Sequence, residues 1–106
     1  MEFVELTQYR TLSDALLSFE DKDLLEKDLI KDPEKGDLIT GTGGARKIRV
    51  RQGNKGKSGG ARSIYYYKNE SHQIWFLAIY PKSAKSSLTA EEKKILKILI
   101  REIKEI

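Results

Sequence analysis

The 106-residue chain has no cysteine, one histidine, one tryptophan and two prolines. Without cysteine there is no disulfide framework, no thiolate zinc site and no cysteine nucleophile. With His72 as the sole histidine, a Cys/His metal cluster and a two-histidine mechanism are both excluded. Long apolar runs are missing too. The longest, residues 74–80, is far shorter than the roughly 18 residues that span a bilayer. The opening residues Met1-Glu2-Phe3-Val4-Glu5 carry neither a basic n-region nor an apolar h-region, so a soluble, cytoplasmic protein is expected. Two prolines, eight glycines and clustered apolar residues exclude a collagen-like or wholly disordered chain. The length suits one domain, residues 1–106, with no linker or repeat to divide it.

What the chain does have is charge, and it is segregated. The net charge is +4, but residues 1–37 hold 5 Lys/Arg against 11 Asp/Glu, a net of −6. Residues 38–85 hold 10 Lys/Arg against one acid, Glu70, a net of +9. The run Arg46, Lys47, Arg49, Arg51, Lys55, Lys57, Arg62 and Lys68 is uninterrupted by acid and repels itself unless a counter-ion is bound. An acidic first third followed by a basic middle is the footprint of a polyanion-binding face. Nucleic acid is the leading partner class, with an acidic protein second.

Hydrophobic spacing sets the coarse architecture. Residues 3–6 read as an opening strand. Thr7 reads as the cap of a first helix, with Tyr9, Leu12, Leu16 and Leu17 inward. Ser18-Phe19-Glu20-Asp21 has a capping-box outline, and the helix it opens carries Leu24, Leu25, Leu29 and Ile30 on its inner face, ending before Pro33. From Arg46 to Gln52 the period changes to two, with Lys47, Arg49 and Arg51 on one face and Ile48 and Val50 on the other. A glycine- and lysine-rich loop follows, then a strand over residues 61–68. Asn69-Glu70-Ser71-His72 supplies a turn, and residues 74–80 form the most apolar, central strand. Thr89-Ala90-Glu91-Glu92 opens a last helix with Ile95, Leu96, Ile98, Leu99 and Ile103 as its stripe. The expected fold class is α+β: a small antiparallel β-sheet with two N-terminal helices and one C-terminal helix.

Two glycine motifs invite nucleotide readings, and both fail. Gly53-Asn54-Lys55-Gly56-Lys57-Ser58 imitates the end of a phosphate loop, but Arg51 stands where the first glycine belongs and a strand follows instead of a helix. Gly41-Thr42-Gly43-Gly44 precedes a strand, so it reads as a tight turn and not a dinucleotide fingerprint. His72 is a turn residue. Glu91-Glu92 and Asp21 with Asp23 are helix N-terminal charges favoured by the macrodipole. No metal and no cofactor are expected.

What remains is a cationic surface: Lys47, Arg49, Arg51, Arg62, Lys82 and Lys85, flanked by Lys55 and Lys57. Among the tyrosines at 65, 66 and 67, one face of the run looks outward, and Tyr66 is a candidate for stacking on bases. Such a surface suits RNA cleavage by the RNA's own 2′-hydroxyl, where cations stabilise the phosphorane and a lysine crowded by other cations has its pKa lowered toward neutrality. Composition alone leaves nuclease and binder both open.

The stretch Gly36-Asp37-Leu38-Ile39-Thr40-Gly41-Thr42-Gly43-Gly44-Ala45-Arg46-Lys47-Ile48-Arg49-Val50 resembles the G-D-x-I-x-G-T-G-G-x-R-K-x-R signature of RelE/HigB-type toxins of bacterial type II toxin–antitoxin pairs. The likeness continues through residues 53–60, Ala61-Arg62-Ser63-Ile64-Tyr65-Tyr66, Tyr80-Pro81-Lys82-Ser83 and Leu88-Thr89-Ala90-Glu91-Glu92. It implies a RelE-like fold and a metal-independent endoribonuclease, an mRNA interferase that cuts translated mRNA at the ribosomal A site. It also implies a cognate antitoxin that neutralises the toxin, with the ribosome and mRNA as further partners and no membrane. Carried over by position, Lys47, Arg49, Arg62 and Lys82 are the catalytic candidates. Arg51, Lys55, Lys57, Tyr66 and Lys85 are the RNA-binding ones. The chain departs from relatives at Ser83, where an arginine is usual, and at Thr89, where some carry a tyrosine; Tyr66 and Tyr80 are the rings available in its place. Those departures support the alternative, a non-catalytic RNA-binding or adaptor domain of the same fold. A DNA-binding regulator is disfavoured, because no helix is basic enough for recognition.

Overall fold

The computed structural model describes residues 1–53 and 60–106. In chain order the elements are β1 (Glu2–Glu5), α1 (Thr7–Leu16), α2 (Phe19–Lys31), β2 (Asp37–Leu38), β3 (Ala45–Val50), β4 (Ala61–Lys68), a single 3-10 turn (Asn69–Ser71), β5 (Gln73–Pro81) and α3 (Ala90–Lys104). Both expected capping boxes form. Ser18 and Thr89 each accept from the backbone N–H three residues on, and Asp21 and Glu92 reach back to the cap's own N–H. The first helix differs. Its cap is Leu6, with no side-chain bond, so Thr7 is the first helical residue.

The five strands run in the order β1-β5-β4-β3-β2. The sheet is mixed rather than wholly antiparallel, because β1 pairs with β5 in parallel while the other three pairings are antiparallel. Two helices intervene before the chain re-enters the sheet at its far edge, which frees β1 from the hairpin geometry that forces antiparallel neighbours. The apolar β5 is interior as expected, but β4 holds the middle.

Each face of the sheet buries its own core. On one face Tyr9, Leu17, Leu25 and Leu29 of the α1–α2 layer pack on Ile48, Val50, Tyr65, Ile74, Phe76 and Ile79. The Tyr9 ring stacks on Phe76 at 5.0 Å between centroids, and its hydroxyl meets Ser63 Oγ at 2.8 Å. On the other face α3 sets Leu96, Ile100 and Ile103 on Ala45, Ile64, Tyr66, Leu77 and Tyr80. The inner stripes are narrower than the spacing suggested. Leu24, Ile30, Ile95 and Ile98 are each more than half exposed, and α3 instead buries Ile100. The acidic α2 and the basic strand surface therefore lie on opposite sides of one sheet.

A β-bulge sets which side chains share a face at the end of the sheet. Ile64 pairs with Ala78 and Tyr65 with Phe76, leaving Leu77 as the extra residue of β5. Strict alternation from Ile74 and Phe76 would send Tyr80 toward α1–α2. The inserted residue reverses the phase, so Tyr80 lies on the α3 face, paired with Arg62.

The turn into β2 hangs on Tyr65, which is fully buried. Its hydroxyl donates to the Pro33 carbonyl at 2.8 Å and accepts from the Gly36 N–H at 2.9 Å. Gly36 has no room for a side chain, since a Cβ there would lie 2.8 Å from the Tyr65 ring and 3.0 Å from the Lys47 carbonyl. Tyr65→Phe strands a buried donor and acceptor together and is expected to cost about 1–3 kcal/mol. A urea-denaturation midpoint equal to wild type would contradict this.

Candidate functional site

β3 and β4 present their cations in register. Arg49 pairs with Arg62, and Arg62 pairs in turn with Tyr80 of β5, making one row across three strands. One step along, Lys47 pairs with Ile64, which pairs in turn with Ala78. Alternation puts Lys47, Arg49 and Arg62 on the α3 face and the bulge brings Tyr80 to it, but α3 covers the end of that face around Ala45, Ile64 and Tyr66. Arg49 is left exposed, with Lys47 and Arg62 half-buried beside it.

Like charges directly opposite one another in a sheet are destabilising. Among the described residues, no carboxylate forms an ion pair with Lys47, Arg49 or Arg62. Gly60 lies against the row and packs closely on the β3 backbone. A Cβ on Gly60 would come within 3.9 Å of both Arg62 Nη1 and Arg49 Cγ, and 3.1 Å from the Val50 carbonyl. The Gly60 carbonyl accepts from the Lys82 N–H at 2.9 Å, which brings exposed Lys82 to the same end of the sheet. Arg49, Arg62 and the Lys82 backbone thus share one end of the sheet, with Lys47 one step further in.

The other candidates are distributed differently. Arg51 leaves the row and lies near Asp21, lining a groove with Leu16, Ser18, Leu24, Gln52 and Gly53. Burial raises the Asp21 pKa, but hydrogen bonds from Ser18 and from the Gly53 N–H, with Arg51 nearby, bring it below the ordinary value. Gln52 is buried and donates to the Leu16 carbonyl at 3.0 Å. Lys55 and Lys57 lie outside the described residues. Tyr66 does not face outward. It is only 8% exposed, packed in the α3 core with Lys104 5.9 Å above its ring, so it offers no stacking platform. Thr89 is spent on the α3 capping box.

Lys85 lies 4.9 Å above the Tyr80 ring and forms an ion pair with Glu92. That lysine and the Thr89 N–H together hold the Glu92 carboxyl below its usual range. Two members of the basic run prove structural. Arg46 donates to the Glu34 and Gly36 carbonyls and pairs with the Glu34 carboxylate at 3.1 Å. Lys68, 2% exposed, donates to the main-chain oxygens of Ile103 (2.9 Å) and Ile106 (2.8 Å) at the end of α3. Counting charges along the chain cannot separate these two from the row, because both find their partners through tertiary contacts.

Among the described residues, no group of three or more His, Asp or Glu side chains is placed to hold a metal ion, and no helix is long and apolar enough to cross a membrane. A family model described as the RelE toxin of the RelE/RelB toxin–antitoxin system matches residues 18–106. Among solved structures the chain resembles a double arginine-to-alanine mutant of the E. coli toxin RelE in the free state, with a TM-score of 0.60 at 14% sequence identity, covering 93% of this chain and 95% of that one. At such low identity the likeness carries the fold alone.

Proposed function

This chain belongs to the RelE toxin family, and from that premise we propose that it is a ribosome-dependent endoribonuclease whose active surface is the row Lys47, Arg49, Arg62 with Lys82 at its end. The observation that carries this reading is the direct pairing of Arg49 with Arg62 on an open face, with no carboxylate ion-paired to either among the described residues. A fold keeps such a like-charged pair at a cost in stability, and a bound polyanion offsets that cost.

The chemistry follows from the row. The 2′-hydroxyl of the RNA attacks the adjacent phosphorus, the P–O2′ bond forms and the P–O5′ bond breaks. The products are a 2′,3′-cyclic phosphate and a 5′-hydroxyl. The 2′-proton must leave and the 5′-oxygen must gain one. A guanidinium keeps its protons at any working pH, so Arg49 and Arg62 stabilise the extra charge of the phosphorane as preorganised donors. Lys47 is the member of the row assigned to proton transfer. Lys82, at the exit of β5, contacts the flanking phosphate. No step in this scheme calls for a metal.

The site works in the cytoplasm, where translated messages are found, and a cognate antitoxin silences it in the resting cell. A second reading, an RNA-binding module without cleavage, draws support from Ser83, where relatives carry an arginine, and from Thr89, which is committed to capping. Primer extension on a translated message after brief induction separates the two. Cuts within codons that disappear when translation is blocked are expected. An intact message with unimpaired growth would favour the binding module.

A further inference from the structure

The hydroxyl of Tyr80 is fully buried and, among the described residues, lacks a hydrogen-bond partner. The side chain is 6% exposed and stands in the row beside Arg62. Orphaned buried hydroxyls are uncommon in folded proteins, because leaving one unpaired costs the whole of its desolvation. Over the same ring, 4.9 Å from its centroid, stands Lys85, which is paired with Glu92. Lys85 is also a cation beside a row that repels cations, and its anchor is a carboxylate, the group a phosphate most readily replaces.

We propose that the Tyr80 hydroxyl is a contact for the RNA backbone, donating to a phosphate oxygen held by Arg62, and that Lys85 uncovers it by exchanging Glu92 for that phosphate. Only the identity of the ligand rests on the RNA-cleaving reading above. Burial raises the phenol's pKa against the lowering influence of Lys85 and Arg62, so the group meets the phosphate as a neutral donor. Free of RNA, Lys85 and Glu92 shield the hydroxyl, and the fold tolerates it unpaired. With RNA bound, one phosphate satisfies Arg62, Tyr80 and Lys85 together.

The test is binding of the full chain to a single-stranded 2′-O-methyl RNA oligonucleotide, which cannot be cut, by fluorescence anisotropy across a salt series. Tyr80→Phe is expected to weaken binding about tenfold, the size of a hydrogen bond to a charged group. The slope of log K against log salt stays at the wild-type value, because a neutral donor releases no counterion. The melting temperature does not fall, since the hydroxyl makes no bond among the described residues. Glu92→Gln keeps the capping bond to the Thr89 N–H through its amide oxygen but frees Lys85, and is expected to tighten binding. Tyr80→Phe binding as wild type would overturn the contact, and Glu92→Gln binding no tighter would overturn the exchange. If the variants show these effects yet the wild-type chain leaves a translated message intact, the nuclease reading falls and the contact stands.

Discussion

Arg62→Ala is expected to slow cleavage of a ribosome-bound message by roughly a hundredfold or more, the usual effect of removing one preorganised donor from a developing anion. The same substitution should leave the melting temperature unchanged or raise it. Arg62 faces Arg49 directly and, among the described residues, makes one weak bond, from Nη1 to the Ala61 carbonyl at 3.3 Å, so its removal relieves repulsion and breaks little there. This opposition between activity and stability is the signature of a residue kept for binding. Single-turnover rates on programmed ribosomes, beside thermal melts, read both quantities. A variant that cuts at the wild-type rate would remove Arg62 from the mechanism. One that melts well below wild type would mean its first duty is structural. Arg62→Lys, which keeps the charge but loses the planar fork, should fall between the two.

Lys68→Met is expected to do the reverse: a large loss of stability with the cation row intact. The lysine is buried beneath the end of α3, where helix carbonyls have no intrahelical partner and the macrodipole is negative. Methionine fills much of the same space but leaves the Ile103 carbonyl and the Ile106 oxygen without their donor. Two charge-assisted bonds are lost inside a low-dielectric layer, at about 2–4 kcal/mol. For a domain of this size each kcal/mol lowers the melting temperature by about 4–8 °C. Far-UV circular dichroism during heating measures the effect. A melt within a degree of wild type would show that α3 is held by Leu96, Ile100 and Ile103 alone.

The two predictions concern residues that look alike in the sequence. Arg62 and Lys68 both lie on β4, both at even positions and both in the run without acids, yet one lies at the end of the face that α3 leaves uncovered and the other beneath a helix terminus. Strand alternation sets them on the same face. It could not say how far along the strand α3 reaches, since that depends on where Leu96, Ile100 and Ile103 meet Ala45, Ile64 and Tyr66. The same limit misplaced Tyr66, which alternation puts on the face of the cations and α3 then buries. It also left Arg51 in the row. The strand ends at Val50, and beyond it Gln52 and Gly53 are drawn to Leu16 and Asp21, carrying Arg51 with them.

Local chemistry was legible wherever neighbours in the chain decide the outcome. The capping boxes at Ser18 and Thr89, the tight turn around Gly41 to Gly44, the helix stop before Pro33 and the alternation of β3 all follow from a few residues acting on their own backbone. So does the separation of charge, because acids on α2 and cations on β3 and β4 pack on opposite sides of a sheet once the apolar residues choose their faces. Tertiary structure decided the rest. The parallel pairing of β1 with β5, the bulge at Leu77 that swings Tyr80 to the side of Arg62, and the partners that withdraw Arg46, Lys68 and Lys85 from the cationic surface all join residues far apart in the chain. Whether a cation is free or spent depends on which carbonyl or carboxylate the fold brings within about 3 Å of it. A one-dimensional pattern of charge carries no such distance.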